Sequence, residues 1–186
     1  MSTELTTKVA NPGPLGLLGF GMTTVLLNLV NSGLDELSIV VLAMGIALGG
    51  LAQIIAGIFE LKQGNTFAGT AFTAYGLFWW SFVLIKICPF GAAAADHVTV
   101  GYYLVLWGIS TAFMYVGTLK HNKATQVVFG SLTVLFFLLA IGDFTHIALI
   151  TKIAGFEGIF CGLSAIYNAM GQILNAEYGK TVMPLG

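Results

Sequence analysis

The chain contains no arginine. Seven lysines and eight acidic residues are its whole charge, 8% of 186 positions, where soluble domains carry about a quarter. Charge is also missing from six stretches of 19 or more residues: 9–34, 37–59, 63–85, 98–119, 124–142 and 158–176. Without arginine there is no bidentate clamp for an anion and no voltage-sensing helix. Without a charged side chain inside the stretches, a proton pump built on a buried carboxylate relay is also disfavoured. Cysteine is scarce, with only Cys88 and Cys161, no CxxC and no histidine at ligand spacing, so both read as small apolar core residues. His97, His121 and His146 fall in or beside loops on different faces, which argues against a metal centre. A net charge of −1 with no basic cluster excludes nucleic acid as a partner. No nucleophile–base pair shares a depth, so the chain does not read as an enzyme, and nothing calls for a cofactor.

What is present is apolar length. About 20 apolar residues cross the hydrocarbon core as a helix. The runs are too continuous for the alternating strands of a barrel, and open sheet edges cannot face lipid. The expected fold is therefore an all-α integral membrane protein, one domain over 1–186 with six transmembrane helices in a compact bundle. Their expected bounds are near 13–31, 38–59, 66–88, 98–119, 124–142 and 155–175. Residues 1–10 are polar, carry Glu4 and lack the layout of a cleaved signal, so the first run is expected to stay as a membrane helix.

Lysines set the orientation. Lys8, Lys62, Lys120, Lys123 and Lys180 share one side, while Lys86 and Lys152 lie opposite with Asp35, Glu36, Asp96, Asp143 and Glu157. The positive-inside rule then places both termini in the cytoplasm of a multi-pass protein of the cell membrane. Short connections make successive helices antiparallel neighbours. A 3+3 inverted arrangement is expected, although the halves show no clear sequence match.

Local signals mark the helix ends. Asn11-Pro12-Gly13-Pro14 opens the first helix and Asn31-Ser32-Gly33 ends it; Gly64-Asn65-Thr66 opens the third and Pro89 closes it; Asn122 to Thr125 precede the fifth. Gly45, Gly49 and Gly57 form one small-residue ridge, and Gly158, Gly162, Ala165 and Ala169 another, as close helix packing in lipid requires. Thr23, Thr24, Asn28, Tyr75, Ser110, Thr111, Asn168 and Gln172 are neutral polar groups inside the stretches. Each alone reads as a helix–helix bond, and together they suggest a polar-lined path. Helices 1, 3 and 5 begin on one side, so their N-terminal dipole ends, with free N–H groups, would ring a vestibule that attracts carboxylate.

The same residues carry a resemblance. N11-P-G-P-L-G-L-L-G-F-G-M-T-T24 closely resembles the N-P-x-P-L-G-L signature of the acetate uptake transporter family. L42-A-M-G, G50-x-A-Q53-x-x-A-G57, E60-x-K-x-G-N-T-F67, T73-x-Y-G76, L106-W-G108, G117-T-L-K120, S131-L-T-V-L135 and S164-A-I-Y167 extend it, in order, over nearly the whole chain. The resemblance implies a homo-oligomer, a hexamer, in which each protomer carries acetate and in some members succinate. Family members are described as proton-coupled symporters with a channel-like build. It also implies an apolar constriction made by Phe20, Tyr75 and Leu132, and a substrate-size position at Ala165. Gly13 replaces the family's alanine between the prolines, and residues 90–98 are not similar. Asp143 and Glu157 stand where bacterial members carry no charge, which leaves the outer mouth's preference for dianions open.

The mechanism expected from these residues has Asn11 and the helix N-termini concentrating carboxylate and Gln53 donating hydrogen bonds along the path. The Tyr75 hydroxyl would hand the acid across the constriction. Glu60 is the candidate for proton linkage; its plainer reading is a solvated helix-end carboxylate partnered by Lys62 or Lys120. A urea, amide or ammonium channel, or a membrane scaffold that needs only the glycine ridges, stays open beside this reading.

Overall fold

The computed structural model describes residues 9–87 and 95–186. Expectations on Glu4, Lys8, Cys88 and Pro89 lie outside the described residues. Six helices are long and apolar enough to cross a membrane. They are α1 (Gly13–Asn31), α2 (Ile39–Lys62), α3 (Thr66–Ile87), α4 (His97–Thr118), α5 (Lys123–Thr145) and α6 (Ala148–Tyr178).

The helix starts follow from short polar side chains. Asp96 accepts from the Thr99 N–H at 2.9 Å and Asn122 from the Thr125 N–H at 2.8 Å, each satisfying a first-turn donor. Asn11 acts one residue earlier than a helix cap, its Oδ1 taking the Gly13 N–H at 2.9 Å while Pro12 occupies the cap position. Gly33 and Gly64 end α1 and α2 with φ of +76° and +80°, a region that costs glycine little.

Two expectations need correction. The sixth helix begins at Ala148, not near 155, and so takes in Lys152 as well as Glu157, which the expected bounds already held. The charge on Lys152 marks residues 148–154 as loop, but α6 is 31 residues long and its first turns can project toward the headgroups. Glu157 therefore lies among apolar turns, half-buried, with its Oε2 buried and without a partner. The bundle is thus not free of charge-bearing side chains. The second helix is not uniform either: Gly45–Ala52 winds as a π-helix between α-helical Ile39–Met44 and Gln53–Lys62. Side chains from neighbouring helices bond carbonyls at this wide segment, Trp80 Nε1 to Ile46 at 3.0 Å and Thr23 Oγ1 to Met44 at 3.5 Å.

The helices close a ring in chain order, α6 returning against α1. That last seam is the tightest: a Cβ on either Gly21 or Gly162 would lie 2.7 Å from the other's carbonyl oxygen. The ridge of small residues on α6 thus serves backbone approach. Across the ring, α3 and α4 approach least, and aromatic rings fill the gap. Tyr75 meets Trp107 with centroids 5.9 Å apart, and Phe78 meets Tyr103 at 5.6 Å. Outward, Phe113, Tyr102, Leu106 and Phe160 are exposed on the outer shell, an apolar surface suited to lipid rather than water.

Candidate functional site

Two hollows enter the bundle from opposite ends. One, of about 570 Å³, opens at the N-terminal ends of α1, α3 and α5, with Asn11, Glu60, Asn65, Lys120, Thr125 and Gln172 on its wall. The other, of about 580 Å³, opens where α3 and α5 end and α4 and α6 begin, with Lys86, His97, Asp143 and His146 on its wall. Among the described residues no side chain lines both.

Between them lies packed apolar matter. Phe20 from α1, Tyr75 from α3 and Leu132 from α5 are all buried within one core cluster. The rings of Phe20 and Tyr75 are 6.1 Å apart, and Phe129, on the wall of the first hollow, lies 6.1 Å from Tyr75. On the far side Trp107 and Phe78 make an edge-to-face pair at 5.2 Å, and Phe78 reaches the wall of the second hollow. Ala165 is fully buried in the same cluster, where any larger side chain would take space from the waist. Four of the residues singled out in the sequence thus belong to one buried apolar cluster, within which Phe20 and Tyr75 are in ring contact. Phe129, Trp107 and Thr111 were not singled out for it; aromatic and hydroxyl side chains recur throughout these helices, so nothing in the sequence separates them from ordinary core.

Tyr75 does not offer a free hydroxyl. Its oxygen is 2.9 Å from Thr111 Oγ1. Thr111 donates its own proton to the Trp107 carbonyl at 2.7 Å, so Tyr75 is the donor in the pair. The hand-over expected of Tyr75 requires that bond to break first.

The wall of the first hollow corrects a further expectation. The ends of α1, α3 and α5 do converge there, but their N–H groups are largely taken. On α1, Gly13 bonds Asn11, Leu15 and Gly16 bond the Pro12 carbonyl, and Pro14 has no N–H. On α3, Thr66 and Gly69 bond the Gly64 and Asn65 carbonyls, and Ala68 bonds Asn65 Oδ1. On α5, Lys123 and Ala124 bond the carbonyls of Gly186 and Leu185, which fold back from the C-terminal tail. Side-chain amides take over the polar role. Asn11 donates to Gln172 at 2.9 Å, Gln172 to Asn168 at 3.0 Å and Asn168 to Thr125 at 3.0 Å, a one-way chain joining α1, α6 and α5.

Glu60 is buried on this wall, and its partner is neither Lys62 nor Lys120. Asn65 donates to it at 2.7 Å, while the Lys62 ammonium lies over the Phe59 ring, 5.6 Å from its centroid. Gln53 is fully buried with both amide atoms unpartnered, directly after the π-helical segment and against Gly19 of α1. A buried amide without a bond costs roughly 1–3 kcal/mol, so a polar visitor has something to gain there. Among the described residues no group of three or more ligating side chains is placed to hold a metal ion.

A ring of apolar helices with an open hollow at each end and a greasy waist defines a helical membrane transporter or channel. The chain matches the GPR1/FUN34/yaaH family model over residues 1–185 and belongs to that family. It is 56% identical over 182 residues to the succinate-acetate/proton symporter SatP of Escherichia coli (strain K12), covering 97% of both chains. It is 39% identical over 179 residues to the ammonia transport outward protein 2 of Saccharomyces cerevisiae, covering 91% of this chain and 64% of the yeast protein. The solved structure of the bacterial acetate channel SatP superposes with a TM-score of 0.95 at 55% identity, covering 96% of this chain and all of the other. The chain is a multi-pass membrane protein.

Proposed function

We propose that this protein carries acetate, and succinate as a larger substrate, across the cell membrane with a proton, each protomer providing its own path. The observation that carries the proposal is the pair of hollows at opposite ends stopped by Phe20, Tyr75 and Leu132. The waist is the gate. A carboxylic acid titrating near the glutamate value of about 4.3 is almost wholly anionic at neutral pH. An apolar collar disfavours that anion by desolvation and favours the acid, so transport takes a proton with the substrate.

Asn11 and its amide chain, with Lys120, receive carboxylate in the first hollow. Gln53 offers its unpaired amide beside the path, and Ala165 sets the size admitted. Glu60, held by Asn65 on the vestibule wall, is the proton-linkage residue on that side. The lysine bias supports a cytoplasmic position for both termini and for this first hollow. Residues 1–186 form one transmembrane domain whose halves are related as a 3+3 inverted pair, assembled as a hexamer.

Labelled acetate uptake into proteoliposomes tests the proposal. Uptake should rise with an inward proton gradient and fall when unlabelled acetate or succinate competes. The yeast relative's name supports a second reading, ammonium transport, which predicts flux that acetate does not inhibit.

A further inference from the structure

At the second hollow the ends of α4 and α5 bring together groups that the gate does not use. His97, the first residue of α4, holds Asp143 of α5 with Nδ1 to Oδ1 at 2.8 Å. The His146 ring meets the His97 ring edge-on with centroids 4.7 Å apart. His146 is held there by its backbone: among the described residues it is the one non-glycine with positive φ, at 56°, and its N–H bonds the Gly142 carbonyl at 2.9 Å. A non-glycine residue held in the left-handed region is a local cost that persists when something else fixes it. Lys86, from α3, completes the wall. Its ammonium lies over the Phe82 ring, 5.5 Å from the centroid, and His97–Asp143 is the one base–carboxylate contact within bridging distance among the described residues.

The charges facing the cluster can be counted element by element. Of the ionisable groups lining the hollow, α3 gives Lys86, α4 gives His97 and Tyr103, and the α5 end gives Asp143 and His146. Tyr103 is committed to Ser81 at 2.7 Å. Asp96 caps α4 next to His97 and is committed to Thr99. From α1 and α6 the lining is neutral, with Asn31 and Thr151 as its polar members. With neutral imidazoles Lys86 and Asp143 cancel. Each proton taken by an imidazole then makes the wall more positive and adds an N–H donor.

We propose that His97, His146 and Lys86 form a receiving site for small carboxylates at this mouth, occupied by the anion together with a proton on the imidazole pair. A carboxylate has two oxygens to span two adjacent imidazole rings, one of them protonated, and Lys86 remains for the second carboxylate of a four-carbon diacid. Anion and proton binding at one site are reciprocal: each raises the affinity for the other by the same factor. The site thereby loads substrate and proton together before the apolar waist. This deepens the transport reading above and rests on it.

Calorimetry of sodium acetate and sodium succinate binding to the purified, detergent-solubilised protein tests the site, using buffers of different ionisation enthalpy to count protons. The variants are His97→Gln and His146→Gly, the second suited to the positive φ of its turn, and their combination. In the wild type near pH 6, acetate should bind with proton uptake. In the double variant affinity should fall about ten-fold or more and the proton uptake should drop, with succinate losing less while Lys86 remains. Near pH 8 wild type and variant should bind alike. Equal affinity and equal proton uptake in the double variant near pH 6 would overturn the site. Proteoliposome flux separates the two failures. No acetate uptake by the wild type sinks the transport reading, whereas wild-type uptake with an unchanged pH profile in the double variant sinks only the receiving site.

Discussion

The Tyr75 hydroxyl donates to Thr111 Oγ1 across the seam between α3 and α4, at 2.9 Å. The direction is fixed because Thr111 donates its own proton to the Trp107 carbonyl. Both side chains are buried, so the bond holds the Tyr75 ring across the waist where backbone contact between the two helices is sparse.

The two halves of this bond should respond unequally to removal. Thr111→Val strands the Tyr75 donor and should cost about 1–3 kcal/mol. Tyr75→Phe leaves Thr111 bonded to Trp107 and should cost about 0.5–1.5 kcal/mol. Thermal unfolding of the detergent-solubilised variants reads the difference, and equal or reversed losses would refute the assigned direction.

Gln53 should behave in the opposite way to most buried residues. Gln53→Leu keeps similar volume and removes two unpartnered polar atoms, so stability should rise by about 1–3 kcal/mol while acetate uptake slows. A variant that is less stable yet transports normally would show that the amide serves the fold alone.

Substrate size should follow the volume at the waist. Leu132→Ala opens space at a cost of about 2–5 kcal/mol and should raise the ratio of succinate to acetate uptake. Ala165→Leu overfills a fully buried position, costs about 1–3 kcal/mol and should lower that ratio. If both variants fold and the ratio stays put, the waist is elsewhere.

Acid should weaken one specific cap. The Thr99 hydroxyl and N–H hold the exposed Asp96 carboxyl below the usual carboxylate range. Its folded value is the lower one, so the cap's stabilisation is present above the unfolded value of about 3.9 and is lost as pH falls through the folded value. The difference in melting temperature between wild type and Asp96→Ala should therefore be largest at neutral pH and shrink in acid. A difference that is constant with pH would mean the carboxylate is not what caps α4.

Much of this protein is legible from composition, because the bilayer leaves few choices. A charge-free run of helical length has to satisfy its own backbone bonds, so six such runs determine six helices. Short loops make consecutive helices neighbours, and Phe20, Tyr75, Leu132 and Ala165 are marked by motif. The start of α6 is not legible because Lys152 interrupts the apolar run ahead of it. The wide turn at Gly45–Ala52 escaped because three glycines in eight residues are equally consistent with a packing ridge in a regular helix.

Tertiary structure alone decided which polar groups are spent and which are free. Whether an N–H at a helix start faces a ligand depends on distant partners, and the tail carbonyls of Leu185 and Gly186 close the start of α5 from more than sixty residues away. His97 and His146 lie far apart in the chain, and only the antiparallel pairing of α4 with α5 puts their rings in contact. Hydrophobicity is a property each residue carries by itself, and so it can be read in order along the chain. Hydrogen bonds and charge pairs belong to two residues at once, and they exist only when the fold brings both to one place.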